Sequence, residues 1–149
     1  MMKNIKILKT LFIIFFLSFP FSAHAQTIEE IIKGRKAMFS ENYQNAKRIS
    51  VLLKSGKIDE AKPLMEKISK NYTKLLDYFP DNSKEGFKTE ALPSIWENKK
   101  EFNELMKKAS DDMVKLAEAV DTAKDLRAIQ KKFMWSNCSA CHSRFRAPH

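Results

Sequence analysis

Glycine occurs three times in 149 residues and cysteine only twice. No stretch alternates polar and apolar residues with period two, and neither a long repeat nor a low-complexity segment is present, so strands find no support. Beyond the first 25 residues no apolar run approaches the roughly 20 residues of a membrane-spanning helix. Lys and Arg outnumber Asp and Glu by 27 to 18, for a formal charge of +9. The lysines are nevertheless spread along the chain among the acids, which argues against a nucleic-acid footprint.

The one strongly apolar stretch lies at the start. Lys3, Lys6 and Lys9 form a positive region, Leu11 to Phe21 is an apolar core, and Ala23-His24-Ala25 is a small-residue cleavage site. Together they read as a secretory signal peptide over residues 1–25, too short in its apolar core to span a bilayer. An uncleaved lipid or helix anchor is the alternative. Cleavage before Gln26 leaves 124 residues, one domain over 26–149, exported to the periplasm and soluble. The removed segment carries three lysines and no acid, so the formal charge falls to +6.

Four helices are predicted. Thr27 with Glu30, Ser94 with Glu97, and Thr122 with Asp125 have capping-box form or its Asp variant. The first helix carries Ile28, Ile31, Ile32, Arg35, Met38, Phe39, Asn42, Ala46, Ile49 and Leu53 at steps of three and four, stopping at Ser55-Gly56. The second places Ala61, Leu64, Met65, Ile68, Tyr72, Leu75, Leu76 and Phe79 inward and ends at Pro80, with Pro63 leaving its start open. Residues 80–93, with Asn82, Ser83, Gly86 and Thr89, read as a long irregular loop. The third runs from Ser94 through Val120, and the fourth takes Leu126, Ile129, Phe133, Met134, Asn137, Ala140, Cys141 and Phe145. An antiparallel four-helix bundle is the economical all-α fold.

Both cysteines fall in one motif, Cys138-Ser139-Ala140-Cys141-His142. This is the Cys-x-x-Cys-His spacing at which two thiols bond to one haem and the histidine ligates its iron. On a helix the three side chains share a face, so they can grip one flat macrocycle. A redox dithiol expects a strand before the pair, whereas this pair lies late in a helical segment. Zinc needs further ligands, and the chain offers only His24 and His149. A haem-free bundle with unmodified cysteines is a third alternative. No general base, nucleophile triad or second metal cluster accompanies the motif, so the chain is read as a non-enzyme.

The C-terminal motif CSACHSRFR (138–146), the stretch KTEALPSIW (88–96) and IKGRKAMF (32–39) followed by Asn45 resemble class II c-type cytochromes, the cytochrome c-prime family. The resemblance covers nearly the whole chain after residue 25. It implies a left-handed antiparallel bundle enclosing one covalently bound haem c, attached through Cys138 and Cys141 with His142 as the proximal iron ligand. It further implies that Arg35 pairs with a haem propionate; an arginine snorkelling off the bundle seam is the other reading. Lys36 stands where many members have glutamine. Thr89 and Glu90 match positions at the haem edge, with a solvated turn as the competing reading. Arg146 is expected beside the proximal imidazole. Similar proteins often pair through the first two helices, and Tyr43, Ile58 or Tyr72 would serve a homodimer.

The sixth coordination position separates the functions the resemblance implies. Four residues after Arg35 comes Phe39, which cannot ligate iron; Met38 is one place early, a rotation of about 100°. The match therefore favours an open distal face admitting small diatomics such as NO or CO, and Met38 as a core residue. Electron transfer, with an exposed haem edge and a redox partner protein, is the leading expectation; the basic surface suits an acidic partner, a plain solvated surface being the other reading. NO or CO binding at a five-coordinate iron is the alternative, and a low-spin His142/Met38 carrier ranks below both.

Overall fold

The computed structural model describes residues 26–148; the expected signal peptide and His149 lie outside the described residues. Helix α1 spans Ile28–Lys54, and its start is the expected capping box: the Thr27 hydroxyl accepts from the Glu30 amide at 3.2 Å while the Thr27 amide donates to the Glu30 carboxylate at 2.8 Å. At the other end the Lys57 amide donates to Leu52 O and the Gly56 amide to Leu53 O, with Gly56 at φ +71°. This Schellman closure needs a left-handed residue, which glycine supplies without a Cβ clash.

Helix α2, Ile58–Leu75, runs on into a 3₁₀ turn over Leu76–Tyr78. Pro63 sits in its second turn, not its first, yet faces solvent, so the carbonyl left without an amide can be hydrated. The segment to Pro93 contains a second 3₁₀ turn, Asp81–Ser83, and three consecutive left-handed residues: Gly86, Phe87 and Lys88.

The third helix does not run unbroken from Ser94. It divides into α3, Ser94–Glu97, and α4, Lys99–Ala119, at Asn98, whose backbone stands at φ −121°, ψ 44°. Ser94 does not cap it either, because its hydroxyl donates to Arg144 O at 2.7 Å. The Asn98 side chain and amide both donate to Ser94 O, so this short polar residue closes one helix before the next begins. The fourth helix starts at Asp125 and not at Thr122. The Asp125 carboxylate accepts from the amides of Arg127 and Ala128 at 3.0 and 2.9 Å. Its course is α5, Leu126–Gln130, a π turn over Lys131–Trp135, and α6, Ser136–Phe145.

The chain is thus an antiparallel four-helix bundle in which α2 packs most extensively against α1 and α4. Two apolar clusters fill it. One gathers Ile49, Leu53, Met65, Ile68, Met113 and Leu116; the other gathers Leu75, Phe79, Ile95, Phe102, Met106 and Phe145. Among the described residues the sole β-type pairing is a single bridge between Ala91 and Arg146, and no helix is long and apolar enough to cross a membrane. Of the residues expected on a dimer face, Tyr43 is exposed, but Ile58 and Tyr72 are partly buried against the core. Exposed Val51 shares α1 with Tyr43.

Candidate haem site

The motif-bearing helix α6 follows the π turn, where the widened ring leaves carbonyls without their usual amides. Ser136 Oγ donates to Lys131 O at 2.7 Å, which also accepts from the Ser136 amide, and Asn137 Nδ2 donates to Phe133 O at 2.9 Å, so side chains reinforce the turn. Asn137 also ties α6 to α4: its Nδ2 donates to Asp112 Oδ2 at 3.1 Å and its Oδ1 accepts from Lys108 Nζ at 3.0 Å. Asp112 is buried and also accepts from Lys108 and Lys115. Burial pushes its carboxyl up, but the hydrogen bonds from Lys108, Asn137 and Lys115 outweigh that and leave it below the ordinary aspartate value.

Held this way, α6 presents Cys138, Cys141 and His142 to a cavity of about 760 Å³. That lies within the range of about 300–1,000 Å³ of cofactor pockets. Both cysteines are free thiols and half-buried, while His142 is exposed. Burial raises the Cys138 thiol, partly offset by the nearby Tyr72 hydroxyl. Burial, and then Cys138, push the Cys141 thiol up to about 11. The pair is therefore protonated near neutrality, unlike the low-pKa thiolate of a redox dithiol. Among the described residues no three His, Cys, Asp or Glu side chains cluster as a metal site, so zinc lacks a ligand set.

The facing wall comes from α1. Arg35 is 2 % exposed and does not snorkel. Its guanidinium donates to Tyr78 O, Ser83 Oγ, Ser83 O and Thr89 Oγ1 at 2.7–3.2 Å and lies over the Phe79 ring at 4.7 Å. Burial lowers it to about 10. Among the described residues no carboxylate lies within ion-pair distance of it. Lys36 also lines the cavity, its Nζ donating to Lys88 O at 2.9 Å. Phe39 lines it too, edge-on to Phe79 at 6.4 Å. Met38 is not among the lining residues and packs against the Phe79–Phe102 cluster.

The loop before α3 closes one edge. Thr89, Glu90 and Arg146 all line the cavity. The loop is laced to the chain end by Leu92 N to Phe145 O at 3.1 Å, Ala147 N to Glu90 O at 2.8 Å and an Arg146–Glu90 ion pair at 2.9 Å. Thr89 is thus held in a half-buried position and Glu90 is tied down while remaining exposed. Sequence reasoning missed two aromatic walls. Tyr72, read both as an inward residue of the second helix and as a dimer contact, lines the cavity, with burial raising its hydroxyl; Trp135 lines it as well. Their inward helical spacing was the available signal, shared with ordinary core residues.

The cavity fits a flat, largely apolar group that carries anionic substituents. It offers two free thiols on one wall, aromatic and aliphatic surface between, and a buried cation without a counter-charge opposite. The family model described as Cytochrome C' matches residues 30–146. A cytochrome c' of Rhodopseudomonas palustris is 35% identical over 130 residues, covering 84% of this chain and 86% of that protein. A solved structure of Rhodopseudomonas palustris cytochrome c' superposes with a TM-score of 0.69 at 32% identity, covering 83% of this chain and 98% of that one. The structure of cytochrome c' from Thermochromatium tepidum matches in fold, with a TM-score of 0.71 at 20% identity over 83% of this chain and 98% of that one. With its bundle, its thiol-lined cavity and these matches taken together, the chain belongs to the cytochrome c' family and is a haem c protein.

Proposed function

We propose that this protein is an exported, periplasmic electron-transfer haem protein and not an enzyme, its haem held by Cys138 and Cys141 with His142 as proximal iron ligand. The observation that carries this reading is the placement of α6: Cys138, Cys141 and His142 line the cavity, while His142 and its neighbours Ser139, Ala140 and Ser143 are also exposed to solvent. A group attached there lies with one edge within reach of a partner protein. When bound, haem supplies reversible one-electron chemistry. The chain's own residues do the rest. Arg35 offers its buried charge to a propionate, Thr89 and Glu90 hold the loop at the edge, and Arg146 stands beside the proximal side. A homodimer through α1 and α2, centred on Tyr43 and Val51, completes this reading. Protein made in an export-competent, haem-ligating host should lose the first 25 residues, carry one haem by intact mass and keep its colour through acid–acetone extraction. A colourless protein of unmodified mass would overturn the reading.

Phe39 favours a second role. It lines the cavity from α1 while Met38 does not, so of these two neighbours the one that meets the cavity carries no atom able to ligate iron. Such a site suits a small uncharged diatomic such as NO or CO. A broad high-spin absorption spectrum that sharpens on adding CO to the reduced protein supports this role; a sharp low-spin reduced spectrum that ignores CO rejects it.

A further inference from the structure

A second cavity of about 770 Å³ lies between the end of α1 and α5. Leu53, Leu126 and Trp135 give it an apolar lining, and Lys54, Arg127 and Lys131 contribute three exposed cations. Among the described residues none of these three has a carboxylate within ion-pair distance. Some lysines elsewhere are matched, as in Lys33–Glu29, Lys62–Asp121 and Lys107–Asp111. The acid next to the groove in sequence, Asp125, is committed to capping α5. Lys124 and Lys132 flank the groove in sequence and add to the same sign. Among the described residues, Trp135 is the one that lines both this groove and the thiol-bearing cavity.

We infer that this groove is the docking surface for an acidic redox partner protein, with Trp135 as the wall through which the two sites communicate. Unmatched cations around an apolar centre are complementary to a carboxylate-rimmed apolar patch. They would also steer such a partner from a distance. The inference rests on the electron-transfer reading. One electron leaves the reduced centre of the partner and takes ferric haem to ferrous; no bond forms or breaks and no proton moves. Electronic coupling then crosses a packed indole and not bulk water.

Two measurements on the haem-loaded protein test this. Hexacyanochromate(III), a paramagnetic trianion that does not exchange electrons here, should broaden amide NMR signals of residues 50–54 and 126–135 at low salt. Broadening confined to the region of His142, Arg144 and Arg146, or none, overturns the surface. Oxidation of the reduced protein by hexacyanoferrate(III), which gains one electron, should slow at least about tenfold in the K54E/R127E/K131E variant at low ionic strength. The difference should shrink as salt approaches 0.15 M, where screening acts over about 8 Å. The K70E/K100E/K107E variant carries the same charge change on other faces; equal slowing there means net charge alone and overturns the proposal. If hexacyanoferrate(III) fails to oxidise even the unaltered protein, the electron-transfer reading falls, whereas a failed NMR map with normal oxidation condemns only the docking surface. Saturable binding of a single organic anion such as naphthalene-1-sulfonate that abolishes the hexacyanochromate(III) broadening, with no effect of the charge reversals on oxidation, would make the groove a small-molecule site instead.

Discussion

The Arg35 guanidinium donates to Thr89 Oγ1 at 2.7 Å, joining the middle of α1 to a loop 54 residues further along the chain. The same cation holds both Ser83 acceptors and Tyr78 O, so one buried side chain fixes α1, the end of α2 and the loop at the cavity edge. Arg35→Leu leaves several buried acceptors unpaired. It should cost about 3 kcal/mol, as expected where a charged donor serves multiple buried partners. Urea unfolding of the haem-loaded protein measures this. Arg35→Lys keeps the charge but not the planar fork, so it should recover only part of the loss. Full recovery by lysine would show that charge, not geometry, matters at this position.

Asp112 makes stability depend on acid. Its hydrogen bonds from Lys108, Asn137 and Lys115 overcome burial and hold its carboxyl below the ordinary 3.8. The native state therefore binds this proton more weakly than the unfolded chain. Its contribution is fully present above the ordinary carboxylate value and fades as pH falls through the lower native one. In urea titrations Asp112→Asn should be less stable than the unaltered protein at pH 7, with the gap narrowing below about pH 4. A gap that stays constant down to pH 2 would contradict this assignment.

Two glycines have opposite reasons to resist alanine. Gly56 has nothing within 4 Å of a built Cβ, yet its φ of +71° makes Gly56→Ala cost about 1–2 kcal/mol through backbone strain alone. Gly34 lies mid-helix, where alanine should gain about 1 kcal/mol in propensity. There, however, a Cβ would sit 2.6 Å from Tyr78 Cε1, and the Tyr78 carbonyl is one of the Arg35 acceptors. Overpacking of about 1–3 kcal/mol outweighs the gain, so Gly34→Ala should also lower the unfolding free energy. A stabilised Gly34→Ala would show that the Tyr78 ring moves aside without disturbing Arg35.

What could be read in the sequence was mostly local. The Thr27–Glu30 box and the Gly56 closure each depend on residues within a few positions, and both form as expected. The break at Asn98 and the shifted start at Asp125 escaped because more than one cap was available. Ser94 is drawn off by Arg144 O, a partner 50 residues away. The π turn escaped for a related reason: Asn137 looks like any polar helix residue until Asp112 and Lys108 are seen beside it. At the site, Cys138, Cys141, His142, Arg35, Phe39, Thr89, Glu90 and Arg146 all line one cavity. Tyr72 and Trp135 were hidden because an aromatic on an apolar stripe resembles core, and only the packed bundle distinguishes a cavity wall from filling.

Phe39 and Met38 offer the sharpest test of what faces the iron. Phe39 lines the cavity, and Met38, one residue and about 100° of helix away, packs against the Phe79–Phe102 cluster. Met38→Ala should therefore leave the absorption spectrum unchanged and lower stability by up to about 2 kcal/mol, less than a fully buried methionine because the site is only partly buried. Phe39→Met puts a thioether where the ring was and should convert a broad high-spin spectrum to a sharp low-spin one as sulfur takes the sixth position. Phe39→Ala should instead speed CO binding in stopped flow, at a packing cost of about 3 kcal/mol or less. If Met38→Ala alone abolishes a low-spin spectrum, α1 must turn by one residue when haem is bound, and methionine, not phenylalanine, faces the iron.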